Sequence, residues 1–217
     1  MSKIRLKLNA DEVAQIFPRK LSKSELRRLQ IVENVIRISA KSGVEGLAYE
    51  KIAKSCGVSR HLVMHYFPSR ADMIAQAAEV VWASLKREIL ESMDRETSAT
   101  LKLKRYLSAN LTWAREYREH AAFLVLIIQH ATTHARFKKL FTELMRLGHG
   151  RIIGVLQQGV RDGEFRKSIH VDLVSKSIQL TVLGHFVGLV AEDGPYPAAA
   201  LEEELCRTVV EPLIRLG

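Results

Sequence analysis

The chain has 217 residues, of which 47% are hydrophobic and 26% charged, a composition that is ordinary for a globular protein with a sizeable core. Its two cysteines, Cys56 and Cys206, provide neither a disulfide framework nor a CxxC pair, and charges interrupt its most hydrophobic segment, Val171–Ala191, so we expect a soluble, cytoplasmic protein without a membrane partner. The net charge of +9 is concentrated in residues 1–75, which carry 14 basic against 7 acidic side chains, as in a protein that binds a polyanion or one with a solvated basic surface.

The first twenty-one residues are predicted to form a basic arm, since residues 1–21 show no sustained apolar period. A helix follows this arm. Ser22 and Glu25 have the spacing of a capping box, in which each side chain satisfies a free backbone N–H at the start of a helix. Apolar residues then recur every three or four positions until Gly43, which is expected to end the helix.

Two short helices are predicted next, at about 48–55 and 59–66, on either side of a tight turn. Gly57 suits the turn because glycine adopts positive φ without a steric penalty. Ala53 is small where the second helix would pack closely, and Ser59 can cap that helix. This spacing is typical of a helix-turn-helix, although it also occurs in bundles that bind nothing.

The outer face of the second short helix is rich in hydrogen-bonding groups. Once Leu62 and Val63 are assigned to the interior, the outward side chains lie where a recognition helix contacts base edges in the major groove. Residues further along the chain are expected at the phosphate backbone. The candidate DNA contacts are Tyr49, Lys51, Ser59, Arg60, His61, His65, Tyr66 and Arg70.

The rest of the chain is predicted to be helical. Ser69 and Asp72 form a second capping box, which opens a long helix ending near residue 93. Further helices are predicted at about 99–118, 120–132, 135–162, 171–191 and 198–215, and no strand pattern is evident. The expected fold is therefore all-α, with a three-helix domain at 22–68 followed by a larger helical bundle at 69–217.

Three segments closely resemble the N-terminal signature of TetR-type transcriptional regulators: GLAYEKIA at 46–53, GVS at 57–59 and HYFPSRADMI at 65–74. The remaining chain fits that family by its length, its helix count and the GEF turn at 163–165.

The resemblance is not complete at the expected DNA contacts. The family usually has Thr in place of Ala48, where it caps the helix and contacts a phosphate, so that role is lost or passes to Tyr49. It usually has Tyr in place of Met64 and a small residue in place of His61.

The resemblance implies a homodimer that binds a palindromic DNA operator, usually as a repressor, and is released by a small, hydrophobic effector held in the C-terminal bundle. The alternative is an adaptor that uses DNA as an address and whose bundle holds another protein. The chain has no GxSxG, Walker or GxGxxG motif, so we expect no enzymatic activity, no catalytic residues and no cofactor.

Candidate residues for the effector pocket and the dimer interface are less sharply indicated. Bulky aromatic groups and histidines on bundle helices suit a pocket, and they also suit an ordinary core. The pocket candidates are Trp82, Trp113, Phe123, His130, His185 and Phe186.

Stripes of apolar and small residues on the eighth and last helices suit pairing with a second copy or burial within the chain. The dimer candidates are Ile178, Thr181, Gly184, Gly188, Leu205 and Val209. Two histidine pairs at helical spacing lack a third ligand, so no metal site is expected.

Overall fold

The computed structural model describes residues 21–192 and 197–214, and within these ranges the chain folds into nine α-helices. The basic arm expected at residues 1–21 lies outside the described residues, apart from its last residue. The helices are α1 Lys23–Ser42, α2 Tyr49–Cys56, α3 Arg60–Tyr66, α4 Arg70–Met93, α5 Ala99–Glu116, α6 Arg118–Ala131, α7 Ala135–Arg161, α8 Val171–Ala191 and α9 Ala198–Leu205. The predicted all-α class is confirmed.

The predicted capping boxes explain where two of the longest helices begin. At the start of α1, the Ser22 hydroxyl accepts a hydrogen bond from the Glu25 amide at 3.2 Å, and the Glu25 carboxylate accepts one from the Ser22 amide at 2.9 Å. At the start of α4, the Ser69 hydroxyl accepts from the Asp72 amide at 3.1 Å and donates to the Asp72 carboxylate at 2.6 Å. These bonds satisfy amide groups that have no partner within the helix.

The last predicted helix is shorter than its apolar stripe suggested. After α9 the chain continues as a π-helical turn, Cys206–Val210, and a 3₁₀ turn, Glu211–Leu213. Pro212 lacks an amide hydrogen, so it cannot continue the α-helical hydrogen-bond ladder. Ile214 then forms an isolated antiparallel bridge with the buried Phe165, a pairing that the sequence did not predict.

Two helices organise the core. Helix α5 packs against α4, α6, α7, α8 and α9, and helix α6 packs against α1 as well as α4, α5, α7 and α8. Trp113 and Phe123, both fully buried, lie on α5 and α6 respectively. Helix α1, which precedes the two short helices, therefore rests directly on the bundle.

A buried polar pair lies at the contact between α1 and α6. His120 Nε2 is 3.3 Å from Glu33 Oε2, and their side chains are only 3% and 13% exposed. The His120 ring also lies 6.4 Å from the Trp113 ring, which in turn lies 5.8 Å from Phe186 on α8. A continuous series of contacts thus joins α8 to α1.

Helix α8 is apolar on both sides. By length and composition alone it is long and apolar enough to cross a membrane, although charged and polar residues occur along it. In its most apolar 18-residue stretch, 33% of the residues are buried within the chain. Ile178 and Phe186 face the core, while Leu173 and Leu180 are each 61% exposed. Val187, on the same outer side, is 46% exposed.

Candidate functional site

The turn between α2 and α3 depends on one glycine. Gly57 has φ 66° and ψ 36°, the left-handed region that glycine enters without a Cβ clash. The Val58 amide donates to the Ala53 carbonyl at 3.0 Å, and the Gly57 amide donates to the Lys54 carbonyl at 3.4 Å. This is a Schellman motif, which satisfies the last carbonyls of α2 while reversing the chain. The Ser59 hydroxyl then accepts from the Leu62 amide at 3.1 Å and caps α3.

Hydrogen bonds hold the two short helices against α1 and against each other. The buried Asn34 of α1 accepts from the Ser55 hydroxyl at 2.7 Å, and Arg37 donates to both of these side chains. The Tyr49 hydroxyl donates to the Phe67 carbonyl at 3.0 Å, which ties the start of α2 to the end of α3. The recognition helix is therefore held on a rigid support.

The outer face of α3 carries four exposed side chains, namely Arg60, His61, Met64 and His65. Val63 is fully buried behind them. Arg60 forms a 3.1 Å ion pair with Glu50 of α2, and both side chains are more than half exposed. Such an exposed pair contributes at most about 1 kcal/mol, so it does not withhold Arg60 from another partner.

The remaining predicted DNA contacts already have partners within the chain. Lys51 donates to the Ser42 hydroxyl at 3.0 Å, and the Tyr66 hydroxyl lies 3.1 Å from the Ser24 hydroxyl. Arg70 donates to the Val44 carbonyl and, at 2.9 Å, to the Glu45 carboxylate. Arg70 and Tyr49 therefore stabilise the domain itself, which gives each a structural role whether or not it contacts DNA.

Cys56 lies at the end of α2, beside the turn. Burial raises the pKa of its thiol to about 11, against a smaller opposing effect of Arg37 and Arg27. The thiol therefore stays protonated near neutral pH, and Cys56 serves as a small core side chain rather than a reactive thiolate.

The bundle contains a cavity of about 150 Å³ between α4, α5, α6, α7 and α8. Trp82 and Phe186, two of the predicted pocket residues, line it. Most of its other lining is aliphatic, and five further side chains bring polar groups to the wall. These are Lys86, Tyr106, Asn110, Arg151 and Gln179.

The other predicted pocket residues lie elsewhere. Trp113 donates from Nε1 to the Ser84 hydroxyl at 2.7 Å within the core, and Phe123 is also fully buried there. His130 lines a separate hollow of about 310 Å³ between the DNA-binding unit and the start of α7. His185 is partly buried on α8, and this burial lowers its pKa.

Polar groups of the cavity wall differ in whether they have hydrogen-bond partners within the described part of the chain. Burial raises the pKa of Tyr106 to about 12, although the nearby Arg151 charge and a hydrogen bond with Asn110 oppose this effect. Gln179 donates to the Met145 carbonyl at 2.8 Å. By contrast, Trp82 Nε1 is buried with no hydrogen-bond partner among the described residues.

Helix α7 forms one side of the cavity and contains several glycines. A Cβ on Gly148 would lie 2.4 Å from Nε2 of Gln179, whereas a Cβ on Gly150 or Gly154 would meet no atom within 4 Å. Gly148 is therefore required by a close contact within the chain, and so is Gly159 near the end of α7, where a Cβ would clash with the ring of Phe165. Sequence reasoning did not identify this wall, because the polar residues that form it are spread over separate helices.

The six predicted dimer residues divide into two groups. Ile178 and Leu205 are only 1% and 5% exposed, so the chain's own core covers them. Gly184 is exposed, and a Cβ there would also meet no atom within 4 Å. Thr181, Gly188 and Val209 are partly exposed.

Comparisons with known proteins agree with this architecture. Residues 32–77 match the family model of bacterial regulatory proteins, tetR family. The chain is 21% identical to the fatty acid metabolism regulator protein of Bacillus subtilis (strain 168) over 183 residues, which cover 84% of this chain and 93% of that protein. It is 27% identical to the HTH-type transcriptional repressor KstR2 of Rhodococcus jostii (strain RHA1) over 161 residues, 71% of this chain and 76% of the relative.

A solved structure has a similar fold. The transcriptional regulator FadR from Bacillus subtilis, in complex with stearoyl-CoA, aligns with a TM-score of 0.74 and 20% sequence identity. The alignment covers 85% of this chain and 98% of that one. The similarity extends across the helix-turn-helix and the bundle.

Proposed function

We propose that this chain acts in the cytoplasm as a TetR-type transcriptional regulator, a dimeric repressor that a small hydrophobic effector releases from a palindromic operator. The observation that carries the proposal is the outer face of α3, where Arg60, His61, Met64 and His65 are exposed on a helix fixed by Gly57. Arg can form a bidentate pair with guanine, and an apolar group such as that of Met64 suits a thymine methyl.

The exposed side of α8 supports the dimer. Leu173, Leu180 and Val187 together form an apolar face that a monomer would leave in water. Gly184 lies on the same helix with open space above its Cα, so a second helix could approach closely there. A symmetric dimer would cover this face and place two recognition helices roughly 34–36 Å apart, one turn of DNA.

The cavity supports an effector. It is a partly open cleft that five helices line, and its wall is mostly apolar with a few polar groups, as in small-molecule sites. The relative named for fatty acid metabolism and the FadR complex with stearoyl-CoA favour a ligand with a long apolar part.

Binding of DNA is tested by selecting bound sequences from a random duplex pool and then titrating the selected operator. We expect Arg60→Ala to weaken binding to the operator by roughly tenfold, since one bidentate base contact is worth about 1–3 kcal/mol, and to leave binding to unrelated DNA nearly unchanged. Arg115→Ala removes the same charge from an exposed site on α5 and serves as the control.

An equal effect of Arg60→Ala on every DNA sequence would contradict the assignment of α3 to the base edges. Failure of the wild-type chain to bind any duplex at low ionic strength would contradict the proposed function as a whole.

The adaptor remains a second candidate because the α8 face could instead seat another protein. Light scattering of the purified chain separates the two functions. A stable dimer that Leu180→Glu converts to monomer favours the repressor, because the second copy then occupies the face. A monomeric wild-type chain would favour the adaptor.

A further inference from the structure

The cavity wall has a distinctive charge pattern. Two cationic side chains line it, Lys86 of α4 and Arg151 of α7, while none of the described lining residues is acidic. Neither cation forms an ion pair within the described part of the chain, although many other arginines there are paired with carboxylates. The cavity therefore presents positive charge that the protein does not neutralise.

Arg151 is the more informative of the two cations because it is partly buried, whereas Lys86 is exposed. Its charge acts on the buried Tyr106 hydroxyl and lowers the pKa of that group against the effect of burial. A guanidinium that loses water without gaining an anion raises the energy of the folded state. A bound anion would remove that cost.

A second unsatisfied group lies in the same wall. The indole N–H of Trp82 is buried and has no acceptor among the described residues. Buried indole N–H groups usually have a hydrogen-bond acceptor, and a buried N–H group without one destabilises the folded state. This nitrogen is out of reach of solvent, so a ligand oxygen becomes its acceptor once the side chains that cover it move aside.

We propose that the effector is an apolar molecule with one anionic oxygen-bearing group, a carboxylate or a phosphate, whose charge pairs with Arg151 and whose oxygen accepts from Trp82 Nε1. The inference rests on the proposed function, since it specifies the ligand of the same cavity. A cavity of about 150 Å³ holds a group of benzene size, so a longer chain extends toward the exposed Lys86 or displaces α7.

Calorimetric titration of the purified full chain with three octyl compounds tests the proposal. The probes are octanoate, 1-octanol and octyltrimethylammonium, which share the same tail and differ in the charge of the head group. We expect octanoate to bind at least roughly tenfold more tightly than the other two, because hydrogen bonds to charged groups contribute about twice as much as neutral ones.

Substitutions assign the two contacts. Arg151→Met keeps the apolar stem, and we expect it to weaken octanoate binding roughly tenfold while leaving octanol binding unchanged. Arg151→Lys should restore part of the preference. Trp82→Phe replaces the indole by a smaller aromatic ring without an N–H, so it should weaken both oxygen-bearing ligands. Arg115→Met is the control for lost charge outside the cavity.

Equal binding of the three probes, or tighter binding of the cation, would overturn the proposal, as would an unchanged octanoate preference in a folded Arg151→Met chain. If no probe binds while the chain still binds its operator, the ligand assignment fails and the proposed regulator stands. If the chain binds octanoate as expected but no DNA, the proposed function fails instead.

Discussion

At the scale of single residues, Glu164 joins distant parts of the bundle. Its carboxylate accepts hydrogen bonds from the Ala99 and Thr100 amides, at 2.8 Å and 2.9 Å, and from the Ser98 hydroxyl at 2.6 Å. It therefore caps α5 from the turn that follows α7. Burial raises the pKa of Glu164, but these hydrogen bonds outweigh it and lower the pKa to about 2.

This cap predicts a pH dependence of stability. Because the pKa in the folded chain lies below the ordinary value of 4.5, the stabilisation by Glu164 is complete above about pH 4.5 and is lost as the pH falls toward 2. Glu164→Gln should reduce the free energy of unfolding at pH 7 by about 1–2 kcal/mol, the range for a lost helix cap. Urea unfolding at pH 7 and pH 3.5 measures both effects.

The substituted chain should also lose less stability than the wild type between these two pH values. Glu203→Gln, at an exposed site on α9, makes the same change of charge and is the control. An identical pH dependence in the wild type and Glu164→Gln would contradict the assigned role of the carboxylate.

At the scale of elements, the glycines of α7 differ in their surroundings, since Gly148 lines the cavity whereas Gly150 and Gly154 have open space beside them. Gly→Ala in a helix interior stabilises by up to about 1 kcal/mol when the methyl group has room. We expect Gly150→Ala to raise the free energy of unfolding by that amount, because its Cβ would meet no atom within 4 Å. Gly148→Ala should gain little or lose stability, since its Cβ displaces Gln179 from the Met145 carbonyl.

Urea unfolding of the two variants at one protein concentration gives the comparison, with the wild type as reference. Equal stability of the two variants would show that Gln179 moves aside without cost. Greater stability of Gly148→Ala would contradict the close contact itself.

The elements differ in how far the sequence could predict them. Capping residues and apolar spacing located most helix boundaries, and Gly57 and Ser59 fixed the turn because their roles depend on neighbouring backbone groups alone. The outer face of α8 was not predictable, since apolar residues surround that helix and Ile178 and Leu180 look equivalent in sequence. The sequence did not indicate Arg151 either, because only the packing of the five helices shows that no carboxylate pairs with its guanidinium group.

At the scale of the whole molecule, a chain of contacts links the cavity to the DNA-binding unit. Phe186 lines the cavity and contacts Trp113, which contacts His120, which in turn pairs with Glu33 of α1. His120 Nδ1 and Glu33 Oε1 are both buried without a hydrogen-bond partner among the described residues. A pair this poorly satisfied is sensitive to small shifts of α6 against α1.

We therefore expect the pair to contribute to coupling between effector and operator. The double substitution Glu33→Met with His120→Phe removes both polar groups and leaves no buried unpaired carboxylate. The double variant should still bind the operator and octanoate. The factor by which octanoate weakens operator binding should fall several-fold; in allosteric proteins this factor is typically roughly 5 to 150. Fluorescence anisotropy of labelled operator, with and without octanoate, measures that factor.

The matched control is the exposed pair of Arg207 and Glu204, 2.6 Å apart at the end of α9, replaced by Met and Gln. Unchanged coupling in the buried double variant would show that the signal travels by another route, such as α4.

If a second copy covers the outer side of α8, as proposed, the abundance of the protein becomes part of its regulation. If Leu173, Leu180 and Val187 are sheltered only when two chains meet, dilution yields single chains, each with one recognition helix. At low protein concentration, the fraction of operators that are occupied would then follow the square of the chain concentration. Halving the amount of protein would therefore free roughly three quarters of the occupied operators. A small change in the number of copies per cell would then change operator occupancy more than in proportion.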